Sequence, residues 1–404
     1  MYLVRGYFGY SSTCTPCKTV HSAVSFSFQP VTPGRRFTIC CCFTMVSSRP
    51  HLALFLGTNS LSMSSKSMSS WLDLKSSEYP QIERNQAGEI VSVPTSLTFV
   101  TPDTVAPFTR RDASGVDGPF EGVTWDIANV LVHNGRLQNL TLEQNGFQLV
   151  TSDIPNDIDF YNMRDVVDRY YPICRELVRK HLGEDVQVFA FDHNVRSNGD
   201  RRTLENGNGA LVQDPLGIVH ADYTVASAPK RLEQLAQLPK KNDVHRQFLK
   251  ENETLLDPDQ VEQVLCGRRR FGMINVWRNI NRQSPVLQRP LACMDAQFTA
   301  VDKLRTFSIH YADRVGENYF AVNHPDDQRW FYFPEMTHQE AILLKQWDSF
   351  GNLAKDAQPP TDFLSTFAVH SAFVDPSSPS DAPPRESIEV RCVIMYPEVT
   401  GDER

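Results

Sequence analysis

The sequence predicts an α+β fold in which helices pack against a jelly-roll core of strands. Three observations support this prediction. Strand candidates crowd the second half of the chain at irregular spacing, most segments with helical periodicity come before them, and no glycine-rich phosphate loop follows a strand. An alternating parallel sheet would show a different pattern. The absence of a G-x-G-x-x-G motif also argues against a nicotinamide-dependent enzyme.

The composition is that of a globular protein with an unusual N-terminal segment. The chain has 404 residues, is 41% hydrophobic and carries a formal net charge of -8. Residues 1–72 contain six bases and no acid, so the remainder has 34 bases against 48 acids, a net charge of -14. We expect residues 1–72 to be a disordered leader or the product of a mis-assigned start, in preference to an organellar transit peptide.

Charge and hydropathy also exclude several classes of partner. An acidic body lacks the basic surface expected of a nucleic-acid-binding protein. No apolar run is long enough to span a membrane, and the nine cysteines do not form a disulfide framework. The sequence therefore predicts a cytoplasmic protein with a small-molecule partner, and it leaves open whether the protein is a monomer or a homodimer.

Beyond the leader, we expect an extended wrap over residues 73–118 and a single domain over residues 119–404. The first elements of that domain are predicted at three places: a strand over 147–151, a helix over 162–181 and a strand over 186–191. Pro172 should kink or split the helix, because proline removes a hydrogen bond and clashes with the preceding turn.

Two charged segments with helical character follow. They cover residues 228–238 and 245–266, and Pro258 interrupts the second. We expect them to form a helical insertion over residues 228–266 that lies outside the sheet.

The later elements are predicted to be mostly strands. Their ranges are 270–277, 306–311, 319–323, 330–333, 365–373 and 386–396. Turn residues at 325–327 would join the strands at 319–323 and 330–333. Thr337 and Glu340 have the spacing of a capping box, which predicts a short helix through Trp347.

The most informative motif is His220-Ala221-Asp222. Side chains two residues apart on a strand point to the same side, so His220 and Asp222 can reach one ion. With His370 from a later strand they would complete two imidazoles and one carboxylate, the set that leaves positions open on Fe(II) for oxygen and a chelating acid. A lone histidine on a strand would more often be a core residue, so the prediction depends on the full set.

One rival motif has the same spacing. His324-Pro325-Asp326 lies closer in sequence to His370, but proline lacks the N–H that a paired strand needs. The residues around His220 are Ile218, Val219, Tyr223 and Thr224, which favour a strand. We therefore prefer His220 and Asp222.

A second feature follows His370 by fifteen residues. Arg385, Ser387, Glu389 and Arg391 would share one strand face, opposite an apolar face. The planar fork of an arginine suits the distal carboxylate of a dianionic co-substrate, and Ser387 can add a hydroxyl donor. The alternative is that the arginines pair with Glu386 or Glu389 and are structural.

Seven short segments, in order, carry a family resemblance: 191–196, 219–224, 274–278, 290–295, 332–336, 370–376 and 385–391. They resemble the AsaB-type fungal hydroxylase/desaturase family, which is related to gibberellin desaturase and to the bacterial cephamycin methoxylation component. The chain departs from the family at Asn279, where proline often follows the Asn-Val-Trp-Arg segment.

The resemblance implies a double-stranded β-helix dioxygenase that uses Fe(II) and 2-oxoglutarate. It implies His220, Asp222 and His370 as the catalytic metal ligands, and Arg385, Ser387 and Arg391 as co-substrate contacts. It also marks a set of substrate-pocket candidates, each with a structural alternative: His193, Arg196, Asn275, Trp277 and Arg278.

The implied reaction is the hydroxylation, desaturation or cyclisation of a polyketide or terpenoid intermediate, with 2-oxoglutarate and O2 consumed and succinate and CO2 produced. Two other readings stay open. One is a metal-dependent, cupin-like isomerase or hydrolase, which would work without oxygen and 2-oxoglutarate. The other is a ligand-binding relative without catalysis, which the failure to bind iron would favour.

Overall fold

The computed structural model describes residues 81–112, 114–199, 202–207, 209–241, 243–354 and 363–398. All of them belong to the second of two compact units, Met68–Arg404. The predicted leader, residues 1–72, lies outside the described residues. Within the described part, no helix is both long enough and apolar enough to cross a membrane.

Strands dominate the described residues. They are β1 (Glu83–Arg84), β2 (Ile90–Val100), β3 (Phe108–Arg110), β4 (Trp125–Asn134), β5 (Phe147–Thr151), β6 (Gln187–Ser197), β7 (His220–Ala221), β8 (Arg269–Asn279), β9 (Leu291–Met294), β10 (Leu304–His310), β11 (Val315–Ala321), β12 (Trp330–Tyr332), β13 (Glu340–Asp348), β14 (His370–Ala372) and β15 (Glu386–Glu398). The helices are α1 (Met163–Asp165), α2 (Tyr171–Leu182), α3 (Ser227–Leu235) and α4 (Pro258–Leu265).

The strands form two sheets. The ten-stranded sheet is mixed and has the order β1-β2-β4-β12-β9-β14-β7-β11-β10-β3. The five-stranded sheet has the order β5-β13-β8-β15-β6 and is antiparallel. Isolated bridges join Thr98 to Ile218 and Val100 to Val322, so the ten-stranded sheet curls until β2 lies beside the residues that flank β7 and β11.

The five-stranded sheet has two different faces. Ile274, Val276 and their neighbours on β15 pack against Leu177 and Val178 of α2 in one apolar cluster. Burial of each such side chain contributes about 1.5–3 kcal/mol. Asn275 and Trp277 alternate with these residues and therefore point to the opposite face. That face carries the candidate site.

The early elements agree well with the sequence. The strand β5 has the predicted bounds, 147–151. The predicted helix over 162–181 is present but divided, because α1 passes through a π-helical segment, Val166–Tyr170, into α2. Pro172 lies in the first turn of α2, where a missing N–H costs no helical hydrogen bond.

The predicted helix from Thr337 to Trp347 is wrong, since these residues form strand β13 between β5 and β8. Glu340 does accept hydrogen bonds from the Thr337 N–H (2.8 Å) and hydroxyl (3.1 Å), but the contact closes a turn before a strand. Residues 341–344 are apolar and fully buried. A strand buried on both faces has a continuous apolar run, which periodicity alone does not separate from a buried helix.

The helical insertion is shorter than predicted. α3 and α4 occupy residues 227–235 and 258–265, and the described residues between them form only a 3-10 turn, Val244–Gln247. Pro258 begins α4 after the N-cap Asp257, so it does not interrupt a longer helix. Leu232, Leu235 and Val261 are buried in the main core.

Three further strand predictions change. β14 covers only residues 370–372 of the predicted 365–373. β11 and β12 do not pair with each other: β11 pairs with β10 and β7, and β12 pairs with β4 and β9. In the segment predicted as a wrap, residues 90–100 form β2, which pairs with β4 along its length.

Candidate metal centre

Three side chains meet on the face of the ten-stranded sheet that looks toward Asn275. His220 of β7 and His370 of β14 lie directly opposite each other, and their ring centroids are 4.4 Å apart. Asp222 follows β7, and its Oδ1 lies 3.6 Å from His220 Nε2. One ligand atom from each of the three lies within 4.8 Å of the others. Among the described residues, this is the one group of histidine, cysteine and acidic side chains with such spacing.

Both imidazoles are fixed in the form that a metal ligand requires. His220 Nδ1 lies 2.7 Å from the carbonyl of Ile218, and His370 Nδ1 lies 3.2 Å from the carbonyl of Ala368. A carbonyl can only accept, so each Nδ1 carries the proton and donates it. The Nε2 lone pair of each ring is left for an ion, which is the usual arrangement of ligating histidines.

The local charges also suit a cation. Burial, with the neighbouring His370, lowers the pKa of His220 to about 3, so its ring is neutral at physiological pH. Burial alone would raise the pKa of Asp222, but Arg391 and the two imidazoles hold it well below its usual value. Two imidazoles and one carboxylate therefore face each other, and these residues fit Fe(II).

Side chains from the five-stranded sheet hold Asp222. The Asn275 amide donates a 2.9 Å hydrogen bond to Asp222 Oδ2, and Arg391 Nε lies 3.5 Å from the same oxygen. Gln346 Oε1 accepts a hydrogen bond from the Asp222 N–H at 3.2 Å. Because β7 ends at Ala221, this support replaces the strand pairing that Asp222 lacks.

Arg391 has many acidic partners. Its guanidinium forms ion pairs with Asp192 and Glu389, both at 2.9 Å, in addition to its approach to Asp222. Its donors are thus committed to carboxylates of the chain, which fits a role in holding Asp222 better than the predicted contact with a co-substrate.

Arg385 is different, because it is buried without a carboxylate partner among the described residues. It is 3% exposed, and Nη1 donates a 2.6 Å hydrogen bond to the carbonyl of Arg289. Its guanidinium lies 5.4 Å from the ring centroid of Trp277, and its Nε has no partner in the described part of the chain. Burial, together with Arg196, lowers the pKa of Arg385 to about 9, so it remains charged at neutral pH.

The other predicted residues on this face lie near Arg385. Ser387 is 1% exposed and pairs with Arg196 on β6 and with Asn279 on β8. Arg196 donates a 2.8 Å hydrogen bond to the carbonyl of Asp214. Burial lowers the pKa of Arg196. The two arginines therefore give one end of the site a strong positive charge.

The assignment of Arg278 to the pocket is wrong. Arg278 is fully buried on the opposite face of β8, where Nε donates to the Tyr170 hydroxyl at 3.0 Å and Nη1 donates to the carbonyls of Ser152 and His338. Side chains alternate along a strand, so Trp277 and Arg278 cannot share a face. Arg278 joins the sheet to the helical layer.

His193 and the rival motif lie outside the metal group. His193 borders the cavity next to Asp222, but its Nδ1 lies 2.8 Å from the Tyr171 hydroxyl on the α2 side. Burial lowers the pKa of His193 to about 4. Both ring nitrogens of His324 lie near backbone carbonyls, those of Val322 and Phe298, at 3.0 and 3.2 Å.

Sequence reasoning missed Gln346 and Arg289. Gln346 lies in the segment predicted as a helix, so its place on a strand beside β8 was not predicted. Arg289 acts through its backbone carbonyl, which carries no side-chain signal.

Comparison with known proteins identifies the family. Residues 97–395 match the model of a family described as an oxidoreductase/YMDC permease-like domain. The chain belongs to this family. It is 32% identical over 178 residues to an uncharacterized protein of Methylophilus leisingeri, a match that covers 43% of this chain and 81% of that protein.

Relatives with named activities agree with the resemblance found in the sequence. The chain is 28% identical over 278 residues to the Fe(II)/2-oxoglutarate-dependent dioxygenase nvfI of Aspergillus novofumigatus, covering 67% of this chain and 84% of that one. It is 28% identical over 160 residues to the hydroxylase/desaturase asaB of Aspergillus flavus, covering 37% and 63%. The predicted family, its oxidoreductase class and its Fe(II)/2-oxoglutarate chemistry are therefore confirmed at the level of the relatives.

A solved structure shares the fold. The iron and alpha-ketoglutarate-dependent endoperoxidase NvfI superposes with a TM-score of 0.58 at 23% sequence identity, covering 76% of this chain and 98% of that chain. This similarity in fold confirms the predicted combination of strands with flanking helices.

Proposed function

We propose that this protein is a non-haem Fe(II)/2-oxoglutarate-dependent oxygenase that hydroxylates, desaturates or cyclises a secondary-metabolite intermediate of polyketide or terpenoid type. The observation that carries the proposal is the group of two imidazoles and one carboxylate within 4.8 Å. The same buried face carries Arg385, which has no acidic hydrogen-bond partner among the described residues. The names of the relatives support the same chemistry. We take the curled ten-stranded sheet and the five-stranded sheet together as a double-stranded β-helix.

In this proposal His220, Asp222 and His370 hold the iron. When bound, iron with 2-oxoglutarate and O2 supplies an oxidant strong enough to remove hydrogen from an unactivated carbon. The carbonyls of Ile218 and Ala368 keep both imidazoles oriented, and the Asn275 amide keeps the Asp222 carboxylate turned toward them. Such outer contacts fix ligand geometry before the ion arrives.

Arg385 and Ser387 bind the distal carboxylate of 2-oxoglutarate. The guanidinium of Arg385 is held at the carbonyl of Arg289, four residues before Cys293, which pairs with His370. Arg289 and the residue that pairs with His370 thus lie on one short stretch of chain, and 2-oxoglutarate would lie between Arg385 and the metal group. Trp277 lies against the guanidinium and excludes water from it. A buried, charge-assisted contact of this kind is worth more than an exposed one.

The proposal extends to the compartment and the small partners. We place the enzyme in the cytoplasm, because Cys174, Cys293 and Cys392 are buried free thiols, as is typical of a reducing compartment. Its partners are the substrate, O2 and 2-oxoglutarate.

Anaerobic reconstitution tests the function directly. Protein loaded with Fe(II) and 2-oxoglutarate should develop visible charge-transfer absorption, and admission of oxygen should then give succinate. His220→Ala and Asp222→Ala should abolish both signals, whereas Arg278→Lys, on the opposite face of β8, should keep the absorption. If the two ligand variants formed the same coloured complex as the wild type, the assignment of the metal ligands would be wrong.

Activity that persisted without oxygen and 2-oxoglutarate would instead indicate an isomerase or hydrolase. Failure of the wild type to bind iron would indicate a non-catalytic relative.

A further inference from the structure

A cavity of about 710 Å³ opens beside Asp222. Seven basic and five acidic residues of the described chain line it, a surplus of two positive charges, whereas the whole chain has a net charge of -8. Two of these bases, Arg111 and Arg391, form ion pairs with Asp117 and Glu389, which lie outside the lining and balance the surplus. Attraction of an anion therefore depends on how the remaining basic side chains are grouped.

Two arginines of the lining, Arg231 and Arg314, share one carboxylate. Arg231 and Arg314 both donate to Asp243 Oδ1, at 3.0 and 2.8 Å. The two arginine side chains are 12% and 13% exposed, and that of Asp243 is 2% exposed. One carboxylate neutralises only one of the two guanidinium groups. The cluster thus keeps one positive charge where solvent screening is weak.

Both guanidinium groups lie against aromatic rings, and both arginines line the cavity. Arg314 lies 4.7 Å from the ring centroid of Tyr311, and Arg231 lies 5.3 Å from that of Phe191. Within the described residues, the hydrogen bonding of Arg314 uses only Nη1. Its remaining donors form a planar fork that matches a carboxylate.

We propose that Arg231 and Arg314 bind a carboxylate group of the substrate, so that the enzyme acts on an organic acid. The inference rests on the proposed function and names its substrate class. One residual charge matches a singly charged carboxylate better than a doubly charged phosphate ester. Phe191 and Tyr223 line the same cavity as this cluster and Asp222, and they offer apolar surface to the hydrocarbon part.

The test uses benzoate as the probe and benzamide as its neutral match. The full-length protein is loaded anaerobically with Mn(II) and saturating 2-oxoglutarate, so that the co-substrate carboxylate site is filled. Binding of each probe is followed by NMR titration, and broadening of the probe signals by Mn(II) locates it. We expect benzoate to bind at least about tenfold more tightly than benzamide, as one added charge-assisted contact provides.

Three variants decide the assignment. Arg314→Gln should remove most of the preference for benzoate, and the protein should stay folded because Asp243 retains Arg231. Arg314→Lys should keep part of the preference for benzoate, because the positive charge remains but the planar pair of guanidinium donors is lost. Lys241→Gln removes the same charge at the exposed rim of the cavity and should leave the preference unchanged.

Equal binding of benzoate and benzamide to the wild type would overturn the proposal, and so would an unchanged preference in Arg314→Gln. If Arg314→Gln and Lys241→Gln lost the preference for benzoate to the same extent, the preference would come from the overall charge of the cavity. That result would also overturn the specific site. Mn(II) and 2-oxoglutarate binding are measured in the same samples. If Mn(II) and 2-oxoglutarate do not bind, the oxygenase assignment is wrong. The titration repeated on metal-free protein then still decides whether the arginine pair binds a carboxylate.

Discussion

The side-chain amide of Asn275 on β8 donates a 2.9 Å hydrogen bond to Asp222 Oδ2, and so joins the five-stranded sheet to the proposed metal ligand. This bond crosses between the sheets at the point where β7 has already ended. It explains how a carboxylate outside regular strand pairing keeps a fixed direction.

Asn275→Ala should weaken metal binding by about 10–100-fold, the usual effect of removing an outer contact to a ligand. Co(II) or Fe(II) titration measures it directly. Asn129→Ala, which removes an exposed asparagine of β4, serves as the control. Unchanged metal affinity in Asn275→Ala would show that Asp222 is oriented by Arg391 and Gln346 alone.

Arg385→Ala should raise the 2-oxoglutarate requirement by about 30-fold or more, since loss of one partner of a buried charge pair costs about 2–5 kcal/mol. Iron affinity should change little, because Arg385 does not contact the metal group. The two dissociation constants are measured separately, by charge-transfer titration and by metal titration. Parallel losses in both would point to damage to the fold.

Arg278→Ala should act on stability and not on the co-substrate. It leaves the Tyr170 hydroxyl, the buried carbonyl of His338 and the half-buried carbonyl of Ser152 without their donor. Losses of about 3 kcal/mol or more are expected when such a buried network is broken. Urea unfolding measures the loss. The folded fraction should retain wild-type affinity for 2-oxoglutarate, and a selective loss of that affinity would return Arg278 to the pocket.

Asp243 should contribute a pH-dependent part of stability. Burial alone would raise the pKa of Asp243, but Arg231 and Arg314 lower it from 3.8 to about 2. The contribution is therefore complete above pH 3.8 and is lost as the pH falls toward 2. It amounts to roughly 2 kcal/mol at neutral pH.

The measurement compares urea unfolding of the wild type and Asp243→Asn at several pH values. The stability difference should shrink as the pH falls from about 5 to about 2.5. A difference that stays constant over this range would mean that the Asp243 carboxyl titrates normally.

The site residues that the sequence predicted are those that belong to short, local patterns. His220 and Asp222 stand two residues apart, and alternation along β15 placed Arg385, Ser387 and Arg391 together. The predictions that were wrong concern residues whose partners are distant in sequence. Arg278 could be placed only by knowing which face of β8 meets α2, and residues 341–344 became a strand because β5 and β8 lie on either side.

The helical insertion illustrates the same limit. Residues 228–266 have helical composition, yet Arg231 finds its partner at Asp243 and shares it with Arg314, which lies just before β11. No periodicity in the sequence links these three positions.

The shortness of β7 and β14 has one more consequence. Ladder pairing between them is limited to His220 and His370, residues about 150 positions apart in the chain. A divalent ion held by both would act as a cross-link that closes a very long loop, and closing long loops removes the most freedom from an unfolded polypeptide. Chelation should therefore lower the melting temperature of the holoprotein, with faster amide exchange appearing first along these two short strands.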